Sequence, residues 1–326
     1  MIVSRTPLRM SFVGGGSDMP VYYEKYGGAV LSTSIKKYMY VTVNKKFDNG
    51  IRLSYSRTEN CTDLSEIRHP IVRNTLSFLK FKGGIEISSI SDIPSQGTGL
   101  GSSSSYTVGL LNAISTYLGK TLSKGELGEL SSHIEINLCG DNIGKQDQYA
   151  AAYGGMNLIE FNKDGSVSVN PIICNEKTLK DIESSIVVFF TGRTRSASNL
   201  LKQQNKNLND SLYVDILSNI VDSTYEMKKI IESGQVSQIG PLLDHTWSLK
   251  KSLASGISDK QIDDWYDIGI KSGATGGKLL GAGNGGFLMF FAPKHKHDNI
   301  EKNLKYLKRV EFLFDHQGSQ IVYNDT

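Results

Sequence analysis

Three glycine-dense segments, set far apart along 326 residues, constrain this chain more than any other feature. The middle one runs Ile93-Pro94-Ser95-Gln96-Gly97-Thr98-Gly99-Leu100-Gly101 and continues into Ser102-Ser103-Ser104-Ser105. It follows a strand-like stretch and precedes a helical one. Glycines let the backbone turn tightly and approach a ligand closely. The serines place hydroxyls and free N–H groups at a helix N-terminus, where the dipole favours an anion. A polyphosphate suits this arrangement; a flexible turn with a serine cap is the plainer alternative. The lysine of a GxxxxGK[ST] loop is missing. Phosphate must therefore be met by backbone dipoles, hydroxyls, a metal and groups from elsewhere.

The C-terminal segment, Gly276-Gly277-Lys278-Leu279-Leu280-Gly281-Ala282-Gly283-Asn284-Gly285-Gly286, contains GxGxxG. A dinucleotide fold needs a strand before those glycines and a helix after them. Here the order is reversed, which argues for a backbone loop closing over phosphates or substrate. The N-terminal segment is Arg5-Thr6-Pro7-Leu8-Arg9-Met10-Ser11-Phe12-Val13-Gly14-Gly15-Gly16-Ser17-Asp18. Arg9 sits in an alternating apolar strand just before glycines and an acid. It reads either as an exposed strand arginine or as a cation aimed at a phosphate, with Asp18 accepting hydrogen bonds from a polyol.

Between these segments the patterning is α+β. Ala29 to Ile35, Tyr38 to Lys45, Ile51 to Ser56 and Ile85 to Ile93 read as strands. Helical spacing covers 70–81, the stretch carrying Tyr106 to Leu118, and Ser123 to Leu138, where Ser123 and Glu126 form a capping box. A short helix from Lys145 to Tyr153 ends at Gly154-Gly155. The second half opens with a strand from Ser185 to Thr191. Helices follow over 195–233, 235–253 and 259–272, then a strand from Phe287 to Phe291, a helix near 298–306 and a strand near 309–314. The length favours two domains, divided as 1–180 and 181–326.

The 36 basic and 33 acidic residues are interspersed, which gives no reason to invoke nucleic acid or anionic lipid. Cys61, Cys139 and Cys174 are odd in number and form no CxxC pair, so reduced thiols are expected. With no signal-like N-terminus and no long apolar run, the expectation is a cytoplasmic enzyme.

The three glycine segments in this order resemble the motifs of the GHMP kinases, the superfamily of galactokinase, homoserine kinase, mevalonate kinase and phosphomevalonate kinase. The motifs match Pro7 to Asp18, Pro94 to Ser104 and Gly276 to Gly286. Arg9 to Asp18, Ile143 to Gly155, Thr191-Gly192-Arg193-Thr194-Arg195 and His245-Thr246-Trp247-Ser248-Leu249-Lys250 resemble the bacterial heptose-phosphate kinase branch. Ser17, where threonine is commoner, and Asn284, in place of a glycine, are mild departures.

The resemblance implies an N-terminal ATP-binding domain of the ribosomal S5 type and a ferredoxin-like C-terminal domain, with the active site between them. It implies ATP and Mg²⁺, and phosphorylation of the anomeric hydroxyl of D-glycero-D-manno-heptose 7-phosphate on the route to GDP-heptose. By the same match Asp147 is the base, rivalled by Asp141, and Arg9 offsets charge on the transferred group. Gly97, Gly99, Leu100, Gly101, Ser102, Ser103 and Ser104 would hold the nucleotide, with Ser103 and Glu135 as metal ligands. Gly15, Gly16, Ser17, Asp18 and Gly283 would meet the substrate, and Arg193, Arg195 and Lys250 its remote phosphate. Lys278 belongs to the general third motif and discriminates nothing. Another anomeric sugar kinase, or a catalytically silent sugar sensor on the same fold, are the alternatives.

Overall fold

The computed structural model describes residues 1–94, 97–193 and 211–325. Its first layer is a nine-stranded, mostly antiparallel sheet. β1 (Ile2–Val13) lies against the long β2 (Gly28–Lys45), after the short α1 (Pro20–Tyr26). Two strands were expected where β2 is one. Its partner register slips between Pro7/Tyr38 and Leu8/Ile35, so Lys36 and Lys37 form a bulge that bends the strand without ending it. β3 (Ile51–Ser54), β4 (Thr58–Cys61) and β5 (Ile85–Ser91) extend one side, and α2 (Pro70–Phe78) caps that region.

Period-2 alternation sorts the side chains of β1. Leu8, Met10 and Phe12 are fully buried in the core shared with the second half, and Arg9 and Ser11, on the opposite face, line a cleft. Above the sheet lies α3 (Ser102–Tyr117), whose Val108, Leu110, Leu111 and Ile114 pack with Val41, Val43, Ile85 and Ile87. That packing aims the N-terminus of α3 at the same cleft.

Ser123 and Glu126 make the expected capping box for α4 (Lys124–Ser132). The helix then changes type, and His133–Leu138 is a π-helix carrying Glu135. α5 (Gln146–Tyr153) follows, and β6 (Met156–Phe161) and β7 (Val167–Pro171) complete that side of the sheet.

After α6 (Glu176–Ser185), β8 (Ile186–Phe190) begins a second, four-stranded antiparallel sheet. It is joined by β9 (Gly276–Leu279), β10 (Phe287–Phe291) and β11 (Lys308–Val310). α7 (Ser211–Glu232), α8 (Ile239–Ser252), α9 (Lys260–Lys271) and α10 (His297–Asn303) contribute to its core. Residues 195–210 of the helix expected from 195 lie outside the described residues. β9 was expected as loop; it pairs with β10 through Gly276 and Gly277, which lack the side chains that mark a strand in sequence.

The final strands depart from a division at 180/181. β12 (Phe314–Asp315) pairs with β2 and β13 (Gln320–Asn324) with β1, so the chain returns to the first sheet. Cys61, Cys139 and Cys174 are free thiols. No helix among the described residues is long and apolar enough to cross a membrane.

Candidate active site

A cleft of about 510 Å³ opens where the three glycine segments meet. Arg9, from the cleft face of β1, donates through Nε to Asp147 Oδ1 at 2.7 Å and through Nη1 to the Gly99 carbonyl at 2.6 Å. Its backbone N–H also donates to the Leu100 carbonyl, which fastens the middle glycine loop to β1. Asp147 sits in the first turn of α5, and its other oxygen faces the cleft opposite Gly101. The result is a carboxylate held in one orientation, over a loop shaped to take phosphate.

The second wall is acidic and polar. Asp18 is nearly enclosed and accepts from the Gly16 and Gln146 backbone N–H groups and from Gln146 Nε2. Burial, and then the negative charge of Asp147, push the Asp18 carboxyl above the usual carboxylate range. Gly144 makes this contact feasible: a β-carbon there would stand 1.9 Å from Asp18 Oδ2. Gln146 Oε1 in turn accepts from Ser11 Oγ at 2.9 Å. Asp18, Gln146 and Ser11 therefore form one rigid network beside the base, suited to hydroxyl-rich ligands.

The third wall holds Glu135, which has no exposed surface. Ser103 Oγ donates to its Oε1 at 2.8 Å, and Gln148 Nε2 donates to Oε2 at 2.5 Å. Desolvation dominates these hydrogen bonds and raises the Glu135 carboxyl to about 7. Neither oxygen has a cationic partner among the described residues, and the buried Gln148 Oε1 has no partner either. A hard cation would satisfy this carboxylate and the Ser103 hydroxyl. Mg²⁺ commonly binds through one or two protein ligands plus phosphate oxygens and water. The donor set fits it.

Most of the residues singled out in the sequence come together here: Arg9, Gly15, Gly16, Asp18, Gly97, Gly99, Gly101, Ser102, Ser103, Ser104, Asp147, Lys250 and Gly283 all line the cleft. Three do not. Ser17 is fully buried, with its hydroxyl within donating distance of the Gly14 and Ala29 carbonyls and accepting from Ala29 N–H, so it stabilises the loop from behind. Leu100 is also fully buried and contributes only its carbonyl, to Arg9. Arg193 corrects the expectation that it reads the substrate. Its Nη2 is paired with Asp259 Oδ2 at 2.6 Å and with Asn284 Oδ1 at 3.0 Å, and its carbonyl accepts from Gly286. It clasps the third glycine segment, and Asp259 neutralises its charge. Arg195 lies outside the described residues.

Sequence reasoning passed over Ser11, Gln146 and Gln148, and dismissed Lys278 as carrying no information. The π-helix around Glu135 also had no periodic signal to announce it, though such turns recur at functional sites. The two glutamines flank Asp147, and that adjacency was the available hint.

An oriented carboxylate, a glycine loop at a helix N-terminus and a hard-oxygen pair suit transfer of a phosphoryl group to a hydroxyl. The class they define is that of the small-molecule kinases. Comparison with known proteins agrees. The family model for the GHMP kinases N terminal domain matches residues 70–155. The D-glycero-alpha-D-manno-heptose 7-phosphate kinase of Campylobacter jejuni is 32% identical over 316 residues, covering 93% of each chain. A crystal structure of a D-glycero-D-manno-heptose 1-phosphate kinase from Bacteroides thetaiotaomicron superposes with a TM-score of 0.82 at 26% identity, covering 100% of both chains. The L-fucokinase/L-fucose-1-P guanylyltransferase of Bacteroides fragilis is 27% identical over 90% of this chain, which spans 34% of that longer protein. The chain belongs to the GHMP kinase family and is an ATP-dependent phosphotransferase acting on a hydroxyl.

Proposed function

We propose that this kinase phosphorylates the anomeric hydroxyl of D-glycero-D-manno-heptose 7-phosphate, giving the 1,7-bisphosphate and ADP for GDP-heptose formation. The observation that carries the reaction is Asp147, fixed by Arg9 between the middle glycine loop and the Asp18–Gln146–Ser11 network. The heptose assignment is supported by likeness to a heptose 7-phosphate kinase over 93% of the chain.

In this reading Asp18 and Gln146 orient the sugar, and Asp147 accepts the proton of the attacking hydroxyl. The sugar oxygen bonds to the γ-phosphorus as the bond to the β–γ bridging oxygen breaks, and ADP leaves. Arg9 offsets the charge on the transferred group. Ser103 and Glu135 would hold Mg²⁺, which when bound neutralises phosphate charge.

Coupled ADP release across a panel of sugars tests the assignment. Turnover should be greatest with heptose 7-phosphate and much lower with heptose 1-phosphate, L-fucose, galactose and mevalonate. Equal or better turnover of an unphosphorylated sugar overturns it and favours another anomeric kinase.

The metal assignment has its own expected outcome. Ser103→Ala and Glu135→Gln should each raise the Mg²⁺ concentration needed for half-maximal rate, because each removes an oxygen donor or its charge. Mg²⁺ titrations of the two variants that overlay the parent curve would remove this pair from the metal site.

A further inference from the structure

Two ammonium groups in the cleft lack a carboxylate partner among the described residues. Lys278 leaves β9 and crosses toward the first sheet, where its Nζ donates to the Phe12 carbonyl at 2.8 Å; the residue is 5% exposed. Lys250, in the last turn of α8, donates from Nζ to the Gly281 carbonyl. Both line the cleft. The third cation there, Arg9, is paired with Asp147. Asp18 is close enough to act on Lys250 through its field, but its own oxygens are taken up by Gly16 and Gln146.

Burying an ammonium against carbonyls alone is costly, and neighbouring cations make it more so. Both effects are visible. Desolvation first, and then Arg9, lower Lys250 to about 8. Desolvation, Lys250 and Arg9 together hold Lys278 well below the usual lysine range. A dianion placed against the pair would reverse both effects by supplying the missing counter-charge.

The position of the pair indicates which anion. Phe12 is on the strand that leads into Gly15, Gly16 and Asp18, the wall suited to hydroxyls. Arg9 acts on both lysines, Asp18 on Lys250, and Lys250 on Lys278. We infer that Lys250 and Lys278 together form the subsite for a phosphate monoester carried by the acceptor itself. The inference rests on the kinase reading of the cleft. It replaces Arg193 with Lys278 as the partner of Lys250 and makes Lys278 a specificity-determining residue.

The test compares parent, Lys278→Met and Lys250→Met enzymes, with D-glycero-D-manno-heptose 7-phosphate and unphosphorylated D-glycero-D-manno-heptose as acceptors. Methionine keeps the stem and removes the charge. Each variant should lose roughly 10- to 100-fold in kcat/KM for the phosphorylated acceptor, the scale of one charge-assisted contact. Use of the plain sugar and the KM for ATP should change little.

Calorimetry without ATP gives a second readout. In buffers of different ionisation heat, the parent should take up protons near pH 8 when it binds heptose 7-phosphate, because the anion raises the proton affinity that burial had lowered in the two lysines. The uptake should shrink in either variant. Equal losses with both acceptors would make Lys278 a tether between the two sheets and overturn the subsite. A rise in the KM for ATP alone would assign the pair to nucleotide phosphates and also overturn it. A parent that turns over no sugar phosphate would sink the kinase reading by itself. The calorimetric comparison would then still decide the subsite. If Lys278→Met fails to fold, the half-buried Lys250 carries the test.

Discussion

Replacing Asp147 by asparagine is expected to lower kcat by roughly 10²-fold or more, the scale for losing a general base, while ATP affinity stays near the parent value. Asparagine keeps the shape, and its oxygen can still accept from Arg9 Nε as Oδ1 does at 2.7 Å. It cannot take a proton. The nucleotide side should hold because Arg9 keeps its bond to the Gly99 carbonyl, so the middle glycine loop remains anchored. Electrostatics point the same way. The Asp147 charge raises both Asp18 and Glu135, so its removal lets each ionise at lower pH and leaves the proposed metal site no weaker. Arg9 loses its counter-charge, and its side chain is 6% exposed. Stability should therefore fall, and Tm is measured alongside kcat and the calorimetric Kd for ATP. A near-parental rate would mean that Asp147 only orients the acceptor. Asp141, also on the cleft wall, would then be the next base to test.

What could be read from the sequence followed from periodicity and local chemistry. The alternation of Leu8, Met10 and Phe12 against Arg9 and Ser11 marked both the core and the cleft face of β1, because side chains on a strand change sides at every residue. The capping box at Ser123 and Glu126 was legible because it is a contact between near neighbours in the chain. The cleft was legible as a set of glycine segments, since close backbone approach excludes side chains and leaves that exclusion written in composition.

What was not legible depended on long-range pairing. β13 joins β1 across more than three hundred residues, and nothing in Gln320–Asn324 specifies which edge it completes. Arg193 shows the same limit in the site. A cation after an apolar strand resembles a phosphate reader until Asp259 and Asn284, brought in by folding, occupy its guanidinium. Lys278 shows the converse. Its place in a common motif concealed that the side chain crosses from one sheet to a carbonyl of the other.

Gly281→Ala is expected to reduce kcat/KM by roughly 10²-fold with only a modest fall in Tm, because the change acts on alignment more than on the core. Gly281 has φ +80°, and a β-carbon built on it would stand 2.3 Å from Gly99 Cα. Gly99 is equally constrained, since its own β-carbon would be 2.4 Å from the Leu280 carbonyl. The middle and third glycine segments therefore touch backbone to backbone. To reach an ordinary contact of 3.4 Å the two loops must part by about 1 Å. A shift of that size matters here because each loop holds a cation. The Gly99 carbonyl accepts from Arg9 and the Gly281 carbonyl from Lys250. Moving the loops thus displaces Arg9 relative to Asp147 and Lys250 relative to Lys278 in a single step. The backbone strain itself is about 1 kcal/mol, and Gly119→Ala isolates it. Gly119 has φ +73° and nothing within 4 Å of its missing β-carbon. That control should lose a little Tm and keep parental kinetics. If Gly281→Ala behaves like Gly119→Ala, losing stability but turning over normally, then contact between the loops does not set the geometry of transfer.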